Sequence, residues 1–288
     1  DVELSISVPP DLGLCILLLV QRSNKLRRSM ALTFSVAVVL SITAVCGAFL
    51  MLDVVIPNWF VIVARWIPAI VAVTVIVAYH QREVLGWFRL RTPWGSAIFG
   101  SLVAVGVLLG TYAIAAAIAL AAGVGEPHSA SFYVRALAFI APATLLFSLS
   151  TLGEEVAWRG FLHTCLGDTG VWRSSAAISG LWVIFHLPLH ATMVYQSVLP
   201  LDAALTSTLT LFALGLLLSA TAHRFGSPWP ATFGHALPLS TLNLISLPAG
   251  PSPTDHWVVA GITFTALVLA AVALAPGRRS AGTSTPAP

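Results

Sequence analysis

The 288-residue sequence is 57% hydrophobic and only 9% charged, with a formal net charge of +3 at pH 7. A soluble domain usually carries about a quarter charged residues because its surface must face water, so this composition excludes an ordinary soluble globular protein. Basic and aromatic residues form no interleaved run of the kind that indicates nucleic-acid binding. The composition therefore predicts a protein whose main solvent is the lipid bilayer.

The first 30 residues are interpreted as an N-terminal segment with a basic flank on the cytoplasmic side. Residues 13–20 are apolar but too short to cross a bilayer. They are interpreted as the end of a truncated helix or as an interfacial segment, and truncation is expected because the chain begins with Asp1. The basic residues of the flank are Arg22, Lys25, Arg27 and Arg28.

Residues 31–275 are predicted to form one all-α bundle of about eight transmembrane helices. A helix needs about 20 apolar residues to cross a bilayer, and an isolated strand would leave its backbone unpaired in lipid. The predicted spans are 31–52, 59–79, 96–122, 132–152, 174–195, 203–222, 230–248 and 257–275. The seventh contains Pro230, Pro238 and several polar residues, so we expect it to be bent and to face protein. The polar tail 276–288 is predicted to be disordered and cytoplasmic.

The charged residues predict the orientation of the bundle. If eight spans alternate, the loops that contain Lys or Arg all lie on one side. The opposite loops contain no Lys or Arg, and their acidic residues are Asp53, Glu126, Asp202 and Asp255. The positive-inside rule then places both ends of the eight-span bundle in the cytoplasm of a multi-pass cell-membrane protein. Arg65 and Arg135 lie inside spans, and we interpret them as side chains that reach outward or pair with an acidic residue.

Three clusters of ionisable residues lie in or beside the spans, where such residues are costly and are candidates for function. In the first, Glu155 and Arg159 are four residues apart, share a helix face and are expected to pair. Glu154 points about 100° away and is available as a general base. An ordinary interfacial cluster of charges is the competing interpretation.

The second and third clusters contribute histidines. His186 lies midway along the fifth span, where it needs a polar partner such as Glu154 or Glu155. His190 is one turn further on, but the zincin pattern needs a Glu directly after the first His, and Leu187 occupies that place. His190 is therefore interpreted as a supporting residue. The third cluster contains His235, and we expect Glu154, His186 and His235 to converge inside the bundle.

In this order, the three clusters resemble the CPBP family of intramembrane metalloproteases, which joins CAAX prenyl endopeptidases with bacteriocin-processing and Abi-type proteins. The family's first motif, Glu-Glu-x-x-x-Arg, is matched by Glu154, Glu155 and Arg159. In its second motif, Phe-x-x-x-His, Trp182 takes the aromatic place and His186 matches the histidine. The resemblance covers about residues 132–250, and the residues that follow the first two motifs resemble the bacterial branch.

The third family motif, His-x-x-x-Asn or His-x-x-x-Asp, is only half matched. His235 provides the histidine, but Leu239 stands in the place of the Asn, and Asn243 lies four residues beyond it. If the segment is a regular helix, Leu239 shares a face with His235, and Asn243 lies about 12 Å along the axis from His235, too far to share one oxyanion.

The resemblance implies an intramembrane endopeptidase that cleaves a peptide bond of a membrane-associated or lipophilic protein or peptide. Glu154 and His186 would activate water, and His235 would hold the oxyanion, with Glu155, Arg159, Trp182 and Asn243 in support. A divalent metal such as zinc, held by Glu154, His186 and His235, is a candidate cofactor. The resemblance also implies an eight-helix fold whose site opens toward the cytoplasm. The expected partners are a membrane protein or peptide substrate and the lipid bilayer, and no nucleic-acid partner is expected.

Two other functions stay open from the sequence. Leu239 offers no oxyanion donor, so three outcomes stay open. Either a bend at Pro238 brings in Asn243, Ser240 or Thr241, or turnover is weak, or the protein is an inactive family member that acts as a membrane scaffold. A small proton-coupled transporter could use Glu154, His186 and His235 as a proton relay, although the sequence contains no internal repeat of the kind that many transporters have.

Overall fold

The computed structural model describes residues 10–247 and 252–276, and the statements below refer to these residues. The predicted disordered tail lies outside them apart from its first residue, as do the first nine residues of the predicted N-terminal segment. The elements in chain order are α1 (Pro10–Met51), α2 (Asn58–Ala64), α3 (Ile67–Ala78), α4 (Val84–Trp87), α5 (Trp94–Ala121), β1 (Glu126–Pro127), α6 (Ala130–Glu155), a π-helix (Val156–Leu162), α7 (His163–Leu166), a 3-10 turn (Gly167–Thr169), α8 (Val171–Tyr195), α9 (Leu201–Phe225), α10 (Trp229–His235), a second 3-10 turn (Thr241–Leu244), β2 (Ile245–Ser246) and α11 (Pro253–Leu274).

Seven helical segments of the described chain are long and apolar enough to cross a membrane. They are Ser23–Met51, Asn58–Ala78, Trp94–Ala121, Ala130–Thr169, Val171–Tyr195, Leu201–Phe225 and Pro253–Leu274. These segments correspond to seven of the predicted spans and confirm an all-α, multi-pass membrane bundle.

The first helix differs from its predicted span. The predicted span begins at residue 31, whereas α1 runs without a break from Pro10. Residues 21–30 contain no Gly or Pro and include Lys and Arg, which are good helix formers, so the basic flank continues the helix.

The prediction of one helix over residues 230–248 is wrong. The helix α10 ends at His235, and the chain then passes through irregular backbone to the second 3-10 turn and β2. Pro238 has no backbone N–H for a helical hydrogen bond, and it disfavours the helical conformation of the residue before it. The part of the chain that the structure describes therefore has seven helices of membrane-spanning length, where the sequence predicted about eight.

Contacts between loops define one end of the bundle, which we call the basic end. The hydroxyl of Thr164 donates to the carbonyl of Trp87 at 3.1 Å. Arg27 lies 3.9 Å from the carboxylate of Asp168. These contacts join the basic segment before the first predicted span, the loop after α3 and the turn after α7, so the segments rich in Lys and Arg meet at one end.

The opposite end, which we call the acidic end, is joined in a similar way. The side chain of Gln196 accepts from the N–H of Ile56 at 3.1 Å and donates to the carbonyl of Val54 at 2.8 Å. The two short strands pair antiparallel, with Glu126 opposite Ser246. The loops after α1, α5 and α8 therefore lie at this end.

The interrupted segment 229–247 links the two ends. It leaves α9 at the basic end and reaches the strand pair at the acidic end. At the acidic end, His256 near the start of α11 contacts Asp202 at the start of α9, with 2.5 Å between Nδ1 and Oδ2. The helices α9 and α11 therefore start at the same end, which requires the segment between them to traverse the bundle.

This path makes a testable prediction about topology. Single cysteines at Glu83, Ser197 and Thr254, in a background without the three native cysteines, should label from two different faces of the membrane. Position 83 should react from the cytoplasmic face, because it belongs to the basic end, and positions 197 and 254 from the opposite face. Labelling of positions 83 and 254 from the same face would contradict a traversing segment.

Candidate active site

The first motif lies where α6 changes into a π-helix. Every residue of Val156–Leu162 is buried. A π-helical turn is rare and occurs frequently at functional sites. A Cβ atom added to Gly160 would lie 2.5 Å from the carbonyl oxygen of Phe88, so the close approach of the loop before α5 requires glycine here.

Glu155 and Arg159 form the predicted ion pair. Nη1 of Arg159 donates to Oε1 of Glu155 at 3.0 Å, and both side chains are fully buried. The same carboxylate oxygen lies 2.8 Å from Nδ1 of His235. Because a carboxylate only accepts, Nδ1 of His235 carries the proton in this contact. The pair therefore fixes the orientation of the His235 ring and leaves its Nε2 for other partners.

Glu154 is held by a different set of partners. Nε1 of Trp182 donates to Oε2 of Glu154 at 2.5 Å. Nε of Arg65 lies 3.6 Å from Oε1 of Glu154. The two adjacent glutamates therefore each have their own guanidinium, as buried charges require.

Arg65 is a residue of the site that the sequence analysis did not identify. It lies at the interruption between α2 and α3, where Pro68 occupies the first turn of α3. Gly153 allows the approach, because a Cβ atom there would lie 2.7 Å from the carbonyl oxygen of Arg65. The sequence feature that could have identified this residue is an arginine within an apolar span, three residues before a proline.

His186 has the geometry of an oriented base. Its Nδ1 lies 2.8 Å from the carbonyl oxygen of Trp182 on the preceding turn. A carbonyl only accepts, so Nδ1 carries the proton and Nε2 of a neutral ring has a free lone pair. The helix α8 continues through Pro188, so this proline does not end the helix after His186.

Trp182 brings the site together. Its ring centre lies 5.3 Å from that of His186 and 5.2 Å from that of His235, with the rings edge to face. The guanidinium carbon of Arg159 lies 4.7 Å from the indole centre, within the range of a cation–π interaction. The three predicted catalytic side chains, Glu154, His186 and His235, thus all contact one buried indole.

Other residues named from the sequence lie elsewhere. Leu239 lines an apolar cavity of about 410 Å³ between α5 and α6. Oδ1 of Asn243 accepts from the backbone N–H and the hydroxyl of Ser240, at 3.1 and 2.8 Å, and so caps the second 3-10 turn. Nδ1 of His190 lies 3.0 Å from the hydroxyl of Thr208, and its ring centre lies 6.0 Å from that of His186.

The proposed metal ligands do not form a metal site in this arrangement. Among residues 10–247 and 252–276, no three His, Cys, Asp or Glu side chains are grouped so that they could hold a metal ion. Both oxygens of Glu154 already have partners, and the guanidinium of Arg65 opposes a second cation beside them. A divalent metal such as zinc stays a prediction that metal analysis of the purified protein would test, and no catalytic step is derived through it.

Comparison with known proteins identifies the family of this region. Residues 135–238 match the family model described as Type II CAAX prenyl endopeptidase Rce1-like. The matched range contains Glu154, His186 and His235 and ends before Leu239. No curated protein matches the chain. The match confirms the resemblance to CAAX-type proteases, while the bacterial branch stays a prediction. The chain is thus a multi-pass membrane protein whose residues 135–238 match the family model of Type II CAAX prenyl endopeptidase Rce1-like proteins.

Proposed function

We propose that the protein is an intramembrane endopeptidase that hydrolyses a peptide bond of a membrane-associated or lipophilic protein or peptide. The observation that carries this proposal is the set of contacts made by Trp182, which touches Glu154, His186 and His235 in the buried interior. The family match supports the reaction class, since the model describes an endopeptidase.

Glu154 and His186 are the groups suited to activate water. Hydrolysis needs a base that removes a proton from water as its oxygen attacks the carbonyl carbon. The carboxylate of Glu154 is oriented by the Trp182 indole, and His186 offers a free Nε2 lone pair. The proton that Glu154 takes from water is the one that the leaving nitrogen needs when the C–N bond breaks. The site therefore returns to its starting protonation state after each cleavage.

His235 is the group suited to stabilise the oxyanion. Its Nδ1–H is held by Glu155, so a proton on Nε2 makes the ring a cation that can donate to a negatively charged oxygen. The Glu155 carboxylate stabilises that cation, and Arg159 balances the carboxylate when His235 is neutral. A preorganised donor in a poorly solvated site is typically worth about 10² to 10³ in rate.

Replacing Glu154 by Gln tests the proposal, because the amide keeps the shape of the side chain and cannot act as a base. We expect the turnover number to fall by about 10² to 10⁴, the range for loss of general base catalysis. Comparative membrane proteomics of wild-type and Glu154→Gln strains would supply the substrate, and cleavage of that substrate by purified protein would supply the rate.

The control is Glu83→Gln, which changes the same side chain on the protein surface, where it pairs with Arg91. We expect this variant to retain the wild-type rate. If Glu154→Gln leaves both the membrane proteome and the cleavage rate unchanged, the protein is not a peptidase of this mechanism. A membrane scaffold is then the better function.

Leu239→Asn, which installs the residue that the family motif has at this position, should not raise the rate. The helix α10 ends at His235, so the two residues do not share a helix face, and Leu239 lines an apolar cavity. An unpaired amide there should lower the free energy of unfolding by about 1 to 3 kcal/mol. Rate and thermal stability in detergent are the measurements, with Leu242→Asn at an exposed site of the same segment as control. A higher rate for Leu239→Asn would show that this segment rearranges during catalysis.

A further inference from the structure

A polar cavity lies at the acidic end of the bundle. It is lined by α9, the second 3-10 turn and α11 and has a volume of about 220 Å³. Its lining contains six Ser and Thr residues and His256. None of these side chains belongs to the candidate active site or to the three family motifs described above.

The hydroxyls that α9 contributes present lone pairs to the cavity. The hydroxyl of Thr206 donates to the carbonyl of Asp202 at 2.8 Å, and that of Thr210 donates to the carbonyl of Thr206 at 3.1 Å. A hydroxyl has one proton and two lone pairs, so a hydroxyl that bonds to its own helix can only accept further hydrogen bonds.

The opposite wall has the same character. The hydroxyl of Thr263 donates to that of Thr241 at 2.8 Å, and the hydroxyl of Ser240 donates to Oδ1 of Asn243 at 2.8 Å. Four of the six hydroxyls have thus used their protons, and only Ser207 and Thr241 keep a proton that no other described residue accepts.

His256 adds a hydrogen-bond acceptor that lies next to a negatively charged carboxylate. Its Nδ1 lies 2.5 Å from a carboxylate oxygen of Asp202, which can only accept. In the neutral ring, Nδ1 therefore carries the proton, and Nε2 has a free lone pair. The loops at this end contain no Lys or Arg that would neutralise Asp202.

We infer that this cavity binds a primary ammonium group, and that in the membrane this group belongs to the headgroup of a phosphatidylethanolamine-type lipid. An ammonium offers three N–H donors and a positive charge, which complement a wall of acceptors next to a carboxylate. The two remaining hydroxyl protons, on Ser207 and Thr241, suit the phosphate oxygens of the same headgroup. The cavity begins near the starts of two membrane helices, α9 and α11, where Ala203 and His256 line it at the depth of lipid headgroups, and it extends along both helices to Thr210 and Thr263.

The bound headgroup would join α9, α11 and the second 3-10 turn, which follows the segment that carries His235. Lipid retention measured by native mass spectrometry tests this proposal without any measurement of peptidase activity. The protein is taken from vesicles that contain phosphatidylglycerol with an equal amount of phosphatidylethanolamine or phosphatidylcholine. These two zwitterionic headgroups share the phosphate, but the trimethylammonium of phosphatidylcholine has no N–H donor. We expect at least fivefold greater retention of phosphatidylethanolamine.

The variant Thr263→Val, which keeps the shape of the side chain and removes its oxygen, should abolish this preference. Its control is Thr265→Val, since Thr265 lies on the same helix, is exposed and bonds only to the carbonyl of Gly261. Thr206→Val is a second cavity variant, used if Thr263→Val does not fold. A cavity variant that folds and retains phosphatidylethanolamine as the wild type does would overturn the proposed location.

A second measurement separates the lipid headgroup from a free amine. The ¹⁵N signal of His256 Nε2, assigned by its loss in His256→Gln, is followed while ethanolammonium or choline is added to the protein in detergent. We expect a shift with ethanolammonium and none with choline. If the signal shifts but the two lipids are retained equally, the cavity binds an ammonium group that does not come from a lipid. If the two lipids are retained equally and the signal does not shift, the cavity is not an ammonium site.

Discussion

Two adjacent carboxylates buried in a membrane bundle are the constraint on which the rest of this structure depends. An unpaired charge in such a place is costly, so Glu154 and Glu155 each need a cation within the protein. Arg159 fulfils this need for Glu155 from the next turn of the chain, and Arg65 does so for Glu154 from a different span. The interruption between α2 and α3 and the glycine at position 153 are then understood as features that let Arg65 approach.

The same constraint explains why the histidines are oriented and not merely close. His235 donates to the glutamate that is already paired with Arg159, and His186 donates to a backbone carbonyl. Each ring thus uses Nδ1 for the protein and keeps Nε2 for chemistry. Trp182 packs against both rings and donates to Glu154, so one indole contacts all three side chains.

Short-range features of the site were predictable from the sequence, and long-range ones were not. The Glu155–Arg159 pair follows from a spacing of four residues on a helix. The contact between Arg65 and Glu154 depends on the packing of two spans, about which local periodicity carries no information. The relation of His235 to Leu239 was misjudged, because hydropathy indicates a span over 230–248, whereas the helix ends at His235, shortly before Pro238. Hydropathy identifies apolar segments, so the all-α bundle was predictable. It does not show where a helix ends within such a segment, so the number of long helices was not predictable.

The interrupted segment after His235 also has a consequence for motion. A regular membrane helix is held by a continuous ladder of backbone hydrogen bonds, whereas residues between α10 and the second 3-10 turn lack such a ladder and depend on their neighbours. Regions with few backbone bonds of their own open at lower free-energy cost than the helices around them. His235 therefore lies at the end of a short, independently anchored helix next to a compliant stretch of chain. Glu154 and His186 belong to long, continuous helical segments, so one side of the site is stiff and the other is able to yield when a polypeptide enters.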